Sequence, residues 1–340
     1  MHCWVPWHCG FFYKLAMQTN MTPKPKPPPN HPTQTLADLV IPNPTPPRTN
    51  NLLSVLKWGK IIVFTLIAVA VSGGLWGNSR WAWDTHRRME ALEATTQPAK
   101  ERPQRYDDAE LASLPPVVQR YLSKVLNPNQ PLVRRLYLEQ TGTFNRSFKG
   151  ERWEPFTARQ RVSTNRPGFV WDASITMSPG ITVRVVDAYV AGVGSLQPSV
   201  FGLIDLGGSS GTVDMARGEL IRFFAEAVWY PTALLPSQGV QWKPLDDKSA
   251  QATLTDGPLS VTLTFTFNAQ GLVERVNSAE RSALLDGVMV PMPWEVRLFN
   301  YQTQSGMLVP MEAEVAWLPP TGRVPYWRGK VAKLDYDLPR

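Results

Sequence analysis

The residues of this sequence that could carry out chemistry are mainly carboxylates. All four histidines and both cysteines lie at or before His86, so residues 87–340 contain neither type. This excludes from residues 87–340 a Ser-His-Asp triad, a cysteine nucleophile, a structural zinc site and a histidine-ligated iron or copper. Catalysis there would need carboxylates, Lys, Tyr, Ser, Arg or an oxygen-ligated metal.

One carboxylate, Asp187, lies on a strand face that is otherwise apolar. It has the same strand parity as Val183, Val185 and Tyr189, and burying a carboxylate without a partner is costly. We expect Asp187 either to pair with an arginine or to be displaced by a β-bulge. The alternative is an acid that lines a cavity, paired with Arg159, Arg161 or Arg281.

A helix predicted over Asp214–Trp229 carries a second set of charges. Glu219, Arg222 and Glu226 follow an i, i+3, i+7 spacing on one arc, and the opposite arc is apolar and needs a sheet to cover it. We interpret the charged arc as a solvated salt-bridge face. The alternative is that the sheet curls over this arc and Glu226 points into a cleft.

The segment Gly207–Gly211 matches the G-x-S-x-G pattern of a nucleophile elbow, with Ser209 at the centre. That pattern needs a histidine as the base, and none follows in the sequence. We therefore interpret the segment as a Gly/Ser loop.

Most of the C-terminal part of the chain shows the period-two pattern of β-strands. In Leu259–Asn268, apolar residues alternate strictly with Ser, Thr and Asn. Noisier alternation predicts strands at 132–144, 155–163, 168–177, 181–191, 294–302, 307–317 and 324–336. A helix is predicted from Asp107 to Leu126, in two pieces or with a late start because of Pro115-Pro116. The predicted fold is α+β, with a large curved, half-barrel-like antiparallel sheet packed on one main helix.

An uncharged apolar run, Ile61–Gly77, predicts a transmembrane helix ahead of this fold. Lys57 and Lys60 precede it and Arg80 follows, and the flanking tryptophans are Trp58, Trp76 and Trp81. A cleaved signal sequence is the alternative. The numbers of positive charges on the two sides of the run are equal, so they do not determine the orientation of the helix. We expect an inner-membrane protein with its globular domain outside the cytoplasm.

Composition divides the chain into four regions. Residues 1–56 are predicted to be disordered, with ten prolines between Pro23 and Pro47; 57–79 form the membrane helix, 80–104 a stalk and 105–340 the globular domain. The net charge of +7 comes almost entirely from residues 1–104, with 11 basic and 5 acidic side chains. Because the globular domain is nearly neutral, nucleic acid is not expected as a partner.

Several segments together resemble a bacterial membrane-anchored family of unknown function. They are Val117-Val-Gln-Arg-Tyr-Leu, Pro155-Phe-Thr-Ala-Arg-Gln160, Gly168-Phe-Val-Trp-Asp-Ala, Gly218-Glu-Leu-Ile-Arg-Phe-Phe-Ala-Glu-Ala-Val-Trp-Tyr-Pro-Thr-Ala-Leu-Leu-Pro236 and Pro325-Tyr-Trp-Arg-Gly329. The resemblance covers about residues 115–337 and implies no reaction, cofactor or catalytic residue. The predicted layout is also similar, by analogy alone, to the half-barrels of lipoprotein-carrier proteins.

These observations favour a single-pass membrane protein that binds a hydrophobic or lipid-like ligand between sheet and helix. The residues expected to contact the ligand are Asp187, Arg222, Phe223, Glu226, Trp229, Phe265 and Phe267. One alternative is a scaffold without a small ligand. The other is a hydrolase or lyase with Glu226 and Asp172 or Asp187 as acid and base. A non-enzymatic protein without cofactor or metal is favoured.

Overall fold

A computed structural model describes residues 52–95, 104–147, 150–285 and 288–339 of the chain. The region predicted to be disordered, 1–56, lies outside these ranges except for its last five residues. The helices are α1 (Leu52–Ala94), α2 (Pro116–Val125) and α3 (Val213–Ala225), and 3-10 helices span Asp108–Ser113, Glu226–Trp229, Pro231–Leu234 and Pro236–Gln238.

Fourteen strands form one antiparallel sheet in the described part of the chain. They are β1 (Arg135–Asn145), β2 (Trp153–Ser163), β3 (Gly168–Ser178), β4 (Ile181–Val190), β5 (Val193–Val200), β6 (Ile204–Asp205), β7 (Ser209–Ser210), β8 (Gln241–Asp246), β9 (Ser249–Asp256), β10 (Leu259–Phe267), β11 (Val273–Leu285), β12 (Val288–Gln304), β13 (Met307–Trp317) and β14 (Val324–Asp337). The strand order is β6-β5-β4-β3-β2-β1-β14-β13-β12-β11-β10-β9-β8, and β7 pairs with β5. The prediction of a large antiparallel sheet is confirmed.

The sheet is curved, so that strands near both of its ends contact the same helix. Helix α3 contacts β4 and β5 near one end of the strand order and β10 and β11 near the other. Its N-cap is Thr212, whose hydroxyl accepts a hydrogen bond from the Met215 amide. The concave face of the sheet, α2 and α3 share one hydrophobic core.

The helix predicted between Asp107 and Leu126 is divided at Pro115, as the paired prolines indicate. Asp107 caps the 3-10 helix by accepting a hydrogen bond from the Ala109 amide. Pro116 then opens α2, where its missing amide hydrogen removes no helical bond. The predicted apolar stripe of α2 is buried and consists of Val117, Val118, Tyr121, Leu122 and Val125.

Helix α1 continues without a break past residue 79, the predicted boundary between span and stalk. Among the described residues, α1 is the one helix that is long and apolar enough to cross a membrane. Its most apolar window has a mean hydropathy of 1.9. No residue of that window is buried inside the protein. Farther along, Trp81 and Leu92 are buried against the outer, convex face of the sheet, where they contact Val170 and Val186.

Candidate functional site

The charged arc of α3 is buried inside the molecule, so its interpretation as a solvated face was wrong. The guanidinium of Arg222 donates to Asp187 Oδ2 on β4 (Nη1 to Oδ2, 2.5 Å) and to Glu226 Oε1 (Nε to Oε1, 2.8 Å). Gln160 on β2 donates to the other oxygen of Glu226 at 2.6 Å. Both Arg222 and Glu226 have side chains only about 15% exposed. The partner of Asp187 is thus an arginine, but not one of the three considered from the sequence.

Aromatic rings hold the same guanidinium from the sheet side. The Arg222 Cζ atom lies 4.8 Å from the ring centre of Phe169 and 4.9 Å from that of Trp171. The Trp171 indole in turn donates to Gln140 at 2.8 Å. Cation–π contacts in a desolvated setting strengthen the placement of an arginine, so Arg222 is fixed by four groups from two strands and its own helix.

A second buried arginine, Arg281 on β11, binds the middle of α3. It donates to the Gly218 carbonyl at 3.2 Å and forms an ion pair with Glu219 at 3.4 Å. It also donates to the Tyr326 hydroxyl at 3.2 Å, which accepts a further hydrogen bond from the Trp294 indole. Glu219 therefore joins α3 to the arm of the sheet opposite Asp187.

Glu219 and Asp187 approach each other, and a proton on Glu219 would pair their two unpartnered oxygens. Asp187 Oδ1 and Glu219 Oε2 are both buried without a hydrogen-bond donor among the described residues. Burial raises the pKa of Glu219 well above its usual value, and the nearby Asp187 raises it further. With Glu219 protonated, its hydroxyl supplies the missing donor. The two remaining carboxylates, of Asp187 and Glu226, then balance the two guanidinium groups.

This cluster is a structural network and gives little support to the acid–base interpretation. A carboxylate that transfers a proton to a substrate must be reached by it, and the predicted acids Asp187 and Glu226 are only 7% and 14% exposed. Asp172, the other predicted acid, lies on the opposite face of the sheet and accepts a hydrogen bond from Trp81. No cluster of three or more metal-ligating side chains occurs in the described part of the chain.

The aromatic residues predicted to line a sheet–helix cleft are packed against other residues of the core instead. Their exposed fractions do not exceed 4%. Phe265 contacts the rings of Phe224 and Trp242, with centroids 5.8 and 5.1 Å apart. The remaining contacts are Phe223 with Tyr230, Phe267 with Tyr121, and the Trp229 indole with the Pro310 carbonyl. The predicted cleft is thus filled by its own lining side chains.

A cavity of about 460 Å³ lies instead between α1 and the outer face of the sheet. Its walls come from α1, from β2, β3 and β4, and from the turn after β5. They are formed by Gly74, Asn78, Pro155, Phe156, Thr157, Ser174, Thr176, Thr182, Arg184 and Phe201. We call this space the outer cavity. A second cavity, of about 410 Å³, lies beside α2 and includes Leu111, Gln119 and Ser123 in its walls.

The outer cavity combines hydroxyl groups with one positive charge. The side chains of Thr157, Ser174, Thr176 and Thr182 make no hydrogen bond to another described residue. The Arg184 guanidinium donates one bond, to the Asn78 amide oxygen at 2.5 Å. Since a guanidinium carries five donors, the cavity offers a cation and several free hydroxyls to a polar, anionic group.

Sequence reasoning did not identify the outer cavity. Its polar residues alternate along β3 and β4 like those of any solvent-facing strand, and nothing in the strands shows that a helix more than eighty residues earlier covers them. The one usable signal was Asp172 in the same row, whose tryptophan partner lies in α1. Ser209 of the elbow-like segment lies in β7, paired with Leu196, which agrees with a structural loop.

The solved structures that are similar to this chain include two proteins of low sequence identity. A LolA superfamily protein, NE2245 from Nitrosomonas europaea, is 10% identical with a TM-score of 0.30, covering 66% of this chain and 93% of that one. A β-barrel-like protein of the domain of unknown function DUF1849 from Brucella abortus is 11% identical with a TM-score of 0.23, covering 60% and 99%. No curated protein matches the sequence.

A family model matches residues 112–336, about two thirds of the chain, and its range includes α2, the sheet and α3. The segments in which the sequence resembles a family of unknown function lie almost wholly within that range. The chain belongs to the family of unknown function DUF6920.

Proposed function

We propose that this protein is a membrane-anchored lipid-binding protein whose ligand occupies the outer cavity. In this proposal α1 spans the membrane with its apolar run, and the sheet is held at the membrane surface by the rest of the same helix. The observation that carries the proposal is the position of the cavity. Gly74 lies within the last turn of the run Ile61–Gly77, and Asn78 is the first residue beyond it.

The lining of the cavity suits an amphiphilic ligand. At the level where α1 leaves the hydrocarbon core, lipids present their phosphate and glycerol oxygens. Arg184 and the free hydroxyls of β3 and β4 would bind those oxygens, while the acyl chains follow the exposed apolar surface of α1. A volume of about 460 Å³ is within the usual range of roughly 300–1,000 Å³ for ligand pockets and holds a headgroup rather than a whole lipid.

This proposal keeps the ligand class predicted from the sequence and changes the site. A ligand between the sheet and α3 would have to displace Phe265 and separate Arg222 from Asp187, both of which are closely packed. The outer cavity needs no such rearrangement. The orientation of α1, with the globular domain outside the cytoplasm, remains part of the proposal.

Native mass spectrometry of the full chain, extracted from membranes in mild detergent, tests the proposal. Thr182→Trp places an indole in the cavity, and Thr264→Trp is the matched control, because Thr264 is a similarly half-buried threonine on β10. We expect one lipid per chain in the wild type and the control, and a loss of that lipid in Thr182→Trp. Equal lipid in both variants would contradict the site, and a wild type without lipid would favour a scaffold.

A further inference from the structure

One end of the sheet carries a small group of exposed apolar side chains. Ile181 begins β4, Phe201 follows β5 and Ile204 lies in β6, and their exposed fractions are 42%, 43% and 60%. They are neighbours, because the Phe201 amide donates to the carbonyl of Thr182 and Ile204 pairs with Val200. We call these three residues the apolar tip.

The apolar tip is fixed to α1 at the end of its apolar run. A Cβ atom at Gly77 would lie 2.6 Å from the Phe201 carbonyl oxygen, and one at Gly202 would lie 2.6 Å from the Gly77 carbonyl oxygen. Such distances are shorter than side chains tolerate, so two glycines are needed where the helix and the turn meet. Gly202 also has a φ of +70°, a left-handed conformation that glycine adopts readily.

We infer that the apolar tip inserts into the lipid bilayer beside α1, as a second point of membrane contact. This inference rests on the proposed membrane span of α1, but not on the ligand of the outer cavity. Gly77 is the last residue of the apolar run, so a turn packed against it lies at the boundary of the hydrocarbon core. Transfer of exposed Phe and Ile side chains from water to the bilayer at that depth is favourable in free energy.

The tip would also determine how the outer cavity opens. Phe201 belongs both to the apolar tip and to the cavity wall. With the tip in the bilayer, the cavity opens toward lipid headgroups rather than toward water. A lipid could then enter from the membrane without crossing an aqueous gap.

Site-specific fluorescent labelling tests this inference. Single-cysteine variants are simple to make, because the sequence contains only two cysteines. The two cysteines, Cys3 and Cys9, are replaced by serine, and the full chain in lipid nanodiscs is labelled with NBD at one introduced cysteine. Ile204→Cys reports on the tip, with Phe201→Cys as a second tip position. Val63→Cys reports on the apolar run of α1. Val193→Cys is the matched control, because it is an exposed apolar residue at the other end of β5, roughly 23 Å away at about 3.3 Å per residue.

Doxyl-labelled phosphatidylcholine in the nanodisc is the quencher. We expect loss of NBD fluorescence at positions 204, 201 and 63, and no loss at position 193. Quenching at 63 without quenching at 204 and 201 overturns the apolar tip while the membrane span stands. Absence of quenching at all four positions overturns the span itself. Quenching at 193 equal to that at 204 also overturns the inference, since a second contact at one end predicts a difference.

Discussion

The indole nitrogen of Trp81 donates a 2.9 Å hydrogen bond to the Asp172 carboxylate, and this bond joins α1 to the outer face of β3. Trp81 was expected among the tryptophans at the membrane interface, but it is buried. Arg88 adds a second link by donating to Ser195 at 2.9 Å and to Gln197 at 2.8 Å on β5. The segment that would cross the membrane and the segment that packs on the sheet are therefore parts of one continuous helix.

Loss of the Trp81 donor should loosen this attachment. Trp81→Phe leaves the partly buried Asp172 carboxylate without its indole partner, and we expect it to cost about 1–3 kcal/mol of stability. Trp83→Phe is the control, because Trp83 is exposed on the same helix and should change stability very little. Chemical unfolding in detergent measures the stability of both variants. Limited proteolysis after Ala94 measures how firmly α1 is attached to the sheet. Equal stability of the two variants would contradict the role given to the Trp81–Asp172 bond.

The ion pair of Arg222 and Asp187 should be worth far more than one at the surface. Arg222→Met removes one partner and leaves two buried carboxylates uncompensated, which predicts a loss of about 3–5 kcal/mol. Arg135→Met breaks the exposed pair with Asp337, at 2.6 Å, and should cost about 1 kcal/mol or less. Urea unfolding of both variants beside the wild type makes the comparison. A loss in Arg222→Met no larger than that in Arg135→Met would contradict the buried network.

A proton held on Glu219 beside Asp187 would give the stability of the protein a particular pH dependence. The pKa of Glu219 is raised in the folded protein. Its contribution to stability is therefore fully present below the unfolded pKa and is lost as the pH rises through the raised folded pKa. We expect Glu219→Gln, which keeps a donor for Asp187 at every pH, to lose less stability than the wild type as the pH rises. Parallel stability–pH curves for the two proteins would show that no proton is held at Glu219.

The parts of the fold that were predictable are those with a strict local pattern. Strand β10 alternates without exception, and its apolar row of Leu259, Val261, Leu263, Phe265 and Phe267 is buried. The strands that were missed lack such a row. In β9 the inward residues Ala250 and Ala252 are small, and β11 is interrupted by an irregularity between Ser278 and Arg281.

The buried charges could not be assigned from the sequence because their partners are distant in the chain. The spacing of Glu219, Arg222 and Glu226 is also that of an ordinary exposed helix face. Asp187 indicated a buried partner, because its strand face is apolar. The arginine that pairs with it, however, is 35 residues away on another element. The packing of α3 against β4 brings the two together, and a period-two pattern does not encode which helix covers a strand.

Binding of an anionic headgroup should depend on Arg184. In Arg184→Gln the positive charge leaves the outer cavity, and we expect anionic lipid to be retained less while zwitterionic lipid is affected little. Asn78→Ala is the control, because it breaks the 2.5 Å contact between the two residues and keeps the charge. Lipid extraction followed by mass spectrometry gives the ratio of lipid classes. The same loss of anionic lipid in both variants would assign Arg184 a role in positioning α1 instead.

Photo-crosslinking tests the central claim, that a lipid occupies the outer cavity, most directly. A small aliphatic diazirine amino acid, whose side chain is far smaller than an indole and leaves room for the lipid, replaces Thr182 in the cavity or Thr264 on β10, and the full chain is irradiated in its native membrane before intact-mass analysis. The account predicts a lipid adduct at position 182 and none at position 264. Adducts at neither position, or equally at both, would contradict it.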